Sequence, residues 1–106
     1  MERQDVQMKG FEIVAYAGDA RSKLLIALDQ ATKGEFENVD ALIEEANSLI
    51  VQAHLSQTLM LQEEAKGNDV PYSFTMIHGQ DHLMTTMLLK DMISTFILML
   101  KRTNNL

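Results

Sequence analysis

The chain has no cysteine. That absence removes a disulfide framework, a thiolate zinc site and a cysteine nucleophile together, and it fits a reducing compartment. Proline occurs once, as Pro71, and runs of β-branched residues are few. Apolar residues recur every three or four positions, so the chain reads as all-helical. Basic residues are scarce, nine Lys and Arg against fifteen Asp and Glu, for a net charge of −6. A nucleic-acid surface needs clustered Lys and Arg, and no nucleic-acid partner is expected. Acidic balance favours solubility and a partner with a basic face. Residues 1–10 are mixed polar with no apolar core, so no signal peptide is read there. The longest apolar region, 83–100, is cut by Lys90 and Asp91 and makes a poor membrane span. The expected location is the cytoplasm. No repeat with a period of about 20–50 residues and no low-complexity segment is present.

What is there amounts to one domain over 1–106. Hydrophobic residues make up 46% of the 106, enough for a core, but a chain this short buries a limited share of its surface. Association with copies of itself is the most direct way to bury more. Three long helical segments are expected. The first runs from about Asp5 to Thr32, with Phe11, Val14, Ala15, Leu25 and Leu28 at helical spacing and Lys33-Gly34 as the stop. The small-residue run 15–20 around Gly18 is read as a place where another helix comes close. The second runs from about Phe36 to Lys66 and carries one apolar face from Val39 to His54. Glu35, Glu37 and Asp40 lie near its start, where the helix dipole favours acids. Gly67 can close it, and Pro71 can open the third segment at its first turn. The third runs from about Tyr72 to Arg102 and is apolar nearly all the way round. A soluble helix of that kind is normally covered on every side, and two neighbours in one chain cannot easily do so. The third helices of several subunits gathered at a centre could. One stripe supports this: Ile77, Asp81, Met84, Leu88, Met92, Thr95 and Met99 follow in steps of four and three, the seam of a helix that packs on like helices.

Polar residues interrupt this segment at His78-Gly79-Gln80-Asp81-His82. Asp81 belongs to the seam, and a carboxylate in an apolar seam needs a proton, a partner or a cation. In a cyclic oligomer its copies would meet near the axis and a divalent ion would relieve their repulsion. Alternatively Asp81 points to solvent at a frayed end of the seam. His78, His82, Thr85 and Leu89 form an adjacent stripe. Two histidines one turn apart can bind a metal, or one ring can orient the other; in an arbitrary helix such a pair more often simply packs.

Several chemistries lack their residues. No His has a Glu three positions before it, as a di-iron bundle requires, and His-Glu-x-x-His is missing. No serine sits in an elbow motif, and no glycine-rich loop cradles phosphate. Histidine as a nucleophile remains. An imidazole nitrogen can take a phosphoryl group and pass it on, given neighbours that fix the ring and donate to the phosphoryl oxygens. Gln80 and His82 are suitable donors. Gly79 either lets a partner surface approach His78 or serves local helix packing.

The stretch Ile77-His78-Gly79-Gln80-Asp81-His82-Leu83-Met84-Thr85, with residues 10–22 (Gly10-Phe11-Glu12 through Arg21-Ser22), resembles the lactose/cellobiose family of enzyme IIA components of the sugar phosphotransferase system. The likeness covers almost the whole chain, and the segment Pro71 to Met76 looks closer to the lactose subtype. The resemblance implies an all-α subunit, an antiparallel three-helix bundle assembling into a homotrimer. It implies a phosphocarrier that accepts phosphate from phosphohistidine on HPr and donates it to a cysteine of IIB, while the sugar enters through the membrane component IIC. By motif match, His78 is the phosphorylated residue, His82 and Gln80 shape its pocket, and Asp81 holds a divalent cation, most simply Mg2+, at the trimer axis. His54 is read as a structural residue; the alternative is that it borders a neighbouring subunit's site. Two other classes are weighed. A histidine phosphotransfer domain of two-component signalling favours Lys three residues after its His, where Asp81 stands here. A helical assembly module would use its histidines only for packing.

Overall fold

The computed structural model describes residues 1–104. The single-domain expectation also includes Asn105 and Leu106, which lie outside the described residues. Three helices account for the fold: α1 (Arg3–Thr32), α2 (Val39–Ala65) and α3 (Phe74–Asn104), and among the described residues there is no strand.

The breaks are where backbone chemistry places them. Gly34 and Gly67 take φ of 75° and 89°, a left-handed conformation that side chains resist and glycine does not. After each, the next amide reaches back to the last turn, Glu35 N–H to Gln30 O at 2.9 Å and Asn68 N–H to Glu63 O at 3.2 Å. The third helix starts later than expected. Pro71 lies outside it, and the cap is Ser73, whose hydroxyl accepts the Met76 amide at 3.3 Å. A serine that satisfies the amide three residues on is the ordinary N-terminal signal.

α1 packs along both other helices, while α2 and α3 meet far less. The chain ends pair up: Lys101 of α3 reaches Asp40 at the start of α2 at 3.1 Å, and Gly10 of α1 lies against Met76 and Thr75 at the start of α3. The result is a rod of 56 × 20 × 18 Å with a radius of gyration of 16.5 Å, against about 13 Å for a compact chain of this length.

The inward face of α1 differs from the expected one. It consists of Val6, Gly10, Ile13, Ala17, Ala20, Leu24, Ala27 and Ala31. Phe11 and Leu25 are exposed instead. Small residues let α1 approach two helices at once, and the bulky ones are left for the outside. Ala17 and Ala20 bear out the close approach expected of the run 15–20. Gly18 does not, since a side chain there would meet nothing within 4 Å. On α2, Val39, Ala46, Ile50 and Ala53 are buried as expected, but His54 is exposed.

On α3 the buried residues include Leu83, Thr86, Ile93 and Ile97. The stripe Ile77, Asp81, Met84, Leu88, Met92, Thr95, Met99 is exposed throughout. Leu88 keeps 60% of its surface in contact with solvent and Met99 57%. A single chain therefore leaves uncovered the seam that the sequence marks for packing on like helices.

Candidate functional site

The polar residues of 78–82 occupy the second turn of α3, and helical geometry sends them to different places. Gly79 faces inward. A β-carbon there would come within 2.8 Å of the Gly10 carbonyl oxygen and 3.3 Å of Ile13 Cβ. Its role is the close packing of α3 on α1, the second of the two readings the sequence allowed. That contact fixes the rotation of the first turns of α3 and hence the direction of its neighbours.

His78 is exposed and His82 half-buried. Their ring centroids lie 4.5 Å apart with the planes at 86°, an edge-to-face contact between residues one turn apart. Side chains on a helix lean toward its N-terminus, so His82 reaches back under His78. The exposed ring is open to a visiting molecule; the second ring limits its orientations. His82 Nδ1 is buried and has no hydrogen-bond partner within the chain, and Thr86 Oγ1 is in the same condition. Thr85, by contrast, satisfies its hydroxyl on the carbonyls of Asp81 at 2.8 Å and His82 at 3.3 Å.

Gln80 does not face the same way as His78. Residues two apart on a helix point about 200° apart. Gln80 instead lines a cleft of about 230 Å³ with Val6, Met60, Val70, Ser73 and Met76, where the N-terminal ends of α1 and α3 meet the end of α2. His54 lines another cleft, of about 260 Å³, between α2 and α3, with Val51, Leu55, Met87, Lys90 and Asp91.

Asp81 is exposed near the N-terminal end of the apolar stripe. Among the described residues no group of three His, Asp or Glu is gathered so as to hold a metal. Hard divalent cations want several oxygen ligands. One chain offers the single carboxylate of Asp81, so the residues fit a cation only if copies of the chain bring their carboxylates together.

Fold and site together define a class: a small all-helical protein with an exposed imidazole on its third helix and a second ring set edge-on to it. Comparison with known proteins narrows the class. The family described as the lactose/cellobiose-specific IIA subunit of the phosphotransferase system matches residues 8–101. A lactose-specific EIIA component from Staphylococcus epidermidis is 60% identical over 102 residues, covering 96% of this chain and 98% of that protein. The crystal structure of a cellobiose-specific enzyme IIA from Bacillus anthracis superposes with a TM-score of 0.90 at 31% identity, over 99% of this chain and 94% of the other. The IIA(chitobiose) component in its solution complex with HPr, from Escherichia coli, gives 0.77 at 30% identity over 98% of both chains.

The chain belongs to the lactose/cellobiose-specific IIA family of the sugar phosphotransferase system. Its higher identity to lactose-specific relatives bears out the preference read from residues 71–76. Membership also separates it from the two-component phosphotransfer domains that the position of Asp81 already disfavoured.

Two residues escaped sequence reading. Ser73 stands before an apolar helical run, a start signal that a search for an elbow motif passes over. Thr86 lies one turn beyond His82, but the polar stripe from His78 continues equally well through Thr85 in sequence.

Proposed function

We propose that this chain is the phosphocarrier of a sugar phosphotransferase system that imports a β-disaccharide, lactose in the first instance. A phosphoryl group passes from the phosphohistidine of HPr to His78 and then to the cysteine of the cognate IIB component. The donor P–N bond breaks as a new one forms at His78, and that bond breaks as the thiolate of IIB is phosphorylated. The observation that carries the reading is the exposed imidazole of His78 held edge-on by His82 at 4.5 Å. It supplies what a relayed covalent intermediate needs: access for two proteins in turn and a ring whose orientation is limited. The HPr complex formed by a structural relative supports HPr as the donor, and a basic donor surface suits the net charge of −6.

The working form is a homotrimer of antiparallel three-helix subunits with α3 at the centre. Supporting this, the chain exposes 6914 Å² where a compact monomer of its mass would expose about 6,000 Å², and the excess includes the seam. By length and composition α3 could cross a membrane, with only 22% of its most apolar window buried in one chain. Burying the seam against two copies meets the same need in water and tolerates Asp81, Lys90 and Asp91, which a bilayer would not. Cytoplasmic location follows, beside the membrane component IIC. In the trimer the three Asp81 carboxylates converge on the axis and hold a divalent cation, most simply Mg2+, which neutralises them. Gln80 joins the pocket of His78 from a neighbouring subunit, since on its own helix it points away.

Incubation with phosphoenolpyruvate, enzyme I and HPr is expected to place one acid-labile phosphoryl group per chain. His78→Ala should take up none while keeping its helicity and mass. Equal labelling of His78→Ala would refute the assignment.

A further inference from the structure

The site contains a pair of unsatisfied atoms that the reading so far does not use. His82 Nδ1 and Thr86 Oγ1 are both buried without a partner, and Thr86 is 1% exposed. Buried polar groups are rarely left unpaired, because each orphan loses its hydration without a replacement. The behaviour of the neighbouring threonines makes Thr86 stand out. Thr85, Thr95 and Thr103 each donate to the carbonyl four residues earlier, at 2.8, 3.3 and 3.0 Å. For Thr86 that acceptor would be the His82 carbonyl, and its hydroxyl makes no such bond. One orphan is a hydroxyl able to donate; the other is a ring nitrogen able to accept. They belong to residues one turn apart on one face. Helical side chains lean toward the N-terminus, so Thr86 leans toward His82 as His82 leans toward His78.

We infer that Thr86 is a positioning residue for phosphoryl transfer: its hydroxyl donates to His82 Nδ1 through one bridging water, the two atoms making no direct hydrogen bond, and thereby fixes the second ring of the site. The consequence is tautomeric. A neutral imidazole that accepts at Nδ1 carries its proton on Nε2. His82 Nε2–H is then available at the His78 edge to donate to an oxygen of the transferred phosphoryl group, the kind of preorganised donor that stabilises developing charge. The three residues form a line, His78, His82, Thr86, in steps of four. The second half of the inference rests on His78 being the phosphorylated residue; the hydrogen bond itself does not.

Two readouts separate these halves. The first uses the intact, unphosphorylated protein labelled with 15N at histidine, at about pH 9, where an ordinary imidazole is neutral. Wild type is expected to show His82 protonated on Nε2, with its Nδ1 resonance displaced upfield, as an accepted hydrogen bond produces. Thr86→Val, which keeps the shape and removes the hydroxyl, should return that resonance to the position of a free acceptor; Thr86→Ser should restore it. The second readout is transfer from phospho-HPr. Thr86→Val should lower kcat roughly tenfold, the lower end of the effect of losing an orienting partner, with KM unchanged because Thr86 does not touch HPr, and Thr86→Ser should lie within about twofold of wild type. A protonated Nδ1 on His82 in the wild-type spectrum would overturn the inference without recourse to any variant. So would an unmoved resonance in Thr86→Val, or equal loss of transfer in the Val and Ser variants with helicity and sedimentation intact. If the resonances behave as stated but His78→Ala still takes up label, the hydrogen bond stands and the phosphorylation assignment fails instead.

Discussion

At the scale of single residues, three glycines in or beside helices carry different meanings. Gly10 sits where α1 meets the start of α3, and a β-carbon there would lie 2.6 Å from the Met76 amide nitrogen and 2.7 Å from its Cα. Backbone cannot rotate aside as a side chain can. Gly79 faces the same contact from the other helix. Gly18 has open space around it. Gly10→Ala is therefore expected to lower stability by about 1–3 kcal/mol through overpacking. Gly18→Ala should raise it by about 1 kcal/mol, the ordinary gain of Ala over Gly inside a helix. Thermal unfolding of the two variants at equal concentration checks the pair. A destabilised Gly18→Ala would mean that a neighbouring subunit occupies that space. None of this was legible in the sequence, where Gly10 and Gly18 are both interior glycines of one helical segment and the small-residue run 15–20 singles out Gly18. Which glycine lies at a crossing depends on how α1 is rotated, and small residues carry almost no hydrophobic signal about rotation. The histidine pair was legible because a spacing of four on a helix puts two rings on one face wherever the helix sits.

At the scale of elements, number and extent of helices were readable because their ends are written in local chemistry. Gly34 and Gly67 take the conformations that only glycine takes easily. The error at the third start came from giving Pro71 a role that Ser73 fills. The end of α2 offers a test of such local chemistry. Asn68 Nδ2 donates to Glu63 Oε2 at 2.9 Å, and Lys66 Nζ stands 3.4 Å from Oε1. The Asn68 hydrogen bond first, and Lys66 second, hold the Glu63 carboxyl below its ordinary pKa of 4.5. A carboxylate whose pKa is lowered by folding adds stability above its unfolded pKa and loses it as pH falls through the folded value. Asn68→Ala should move the Glu63 titration back up toward 4.5, read by 13C-detected NMR of the side-chain carboxyl. It should also flatten the loss of α2 end stability across the acidic side of that value. The Glu63 side chain lies at the surface, 32% exposed, so the effect belongs to the last turn of α2 and not to global unfolding. An unchanged titration would mean that Lys66 alone sets it. The faces of α1 were misread at this scale too. Phe11 and Leu25 carry the strongest apolar signal yet stay outside, because the chain has two kinds of surface to bury and hydrophobic periodicity does not tell them apart.

At the scale of the whole molecule, that double demand explains the shape. α1 holds α2 and α3 along the rod, and the limited contact between α2 and α3 leaves a long apolar strip beside a cleft. A single chain has no third layer to put there. In the proposed trimer three copies supply it, each α3 lying against two others so that its seam becomes a core. In such a core every position on the seam occurs three times at short range, so a change of one side chain is felt threefold. Leu88→Asp would bring three unpartnered carboxylates into an apolar layer and is expected to convert the trimer to a species near the chain mass of 12.0 kDa in sedimentation at micromolar concentration. Asp81→Leu should do the opposite. Removing three carboxylates that need a cation, and filling the layer with apolar groups, is neutral or stabilising where buried charge is concerned. The variant should sediment as a trimer and keep that mass when divalent ions are removed with a chelator, while wild type should loosen under the same treatment. Dissolution of the trimer by Asp81→Leu, with Leu88→Asp intact, would place Asp81 off the axis and make its charge an attraction between subunits. The seam would then face some surface other than its own copies, since an axis shared by like helices cannot accept three aspartates at one layer and require three at another.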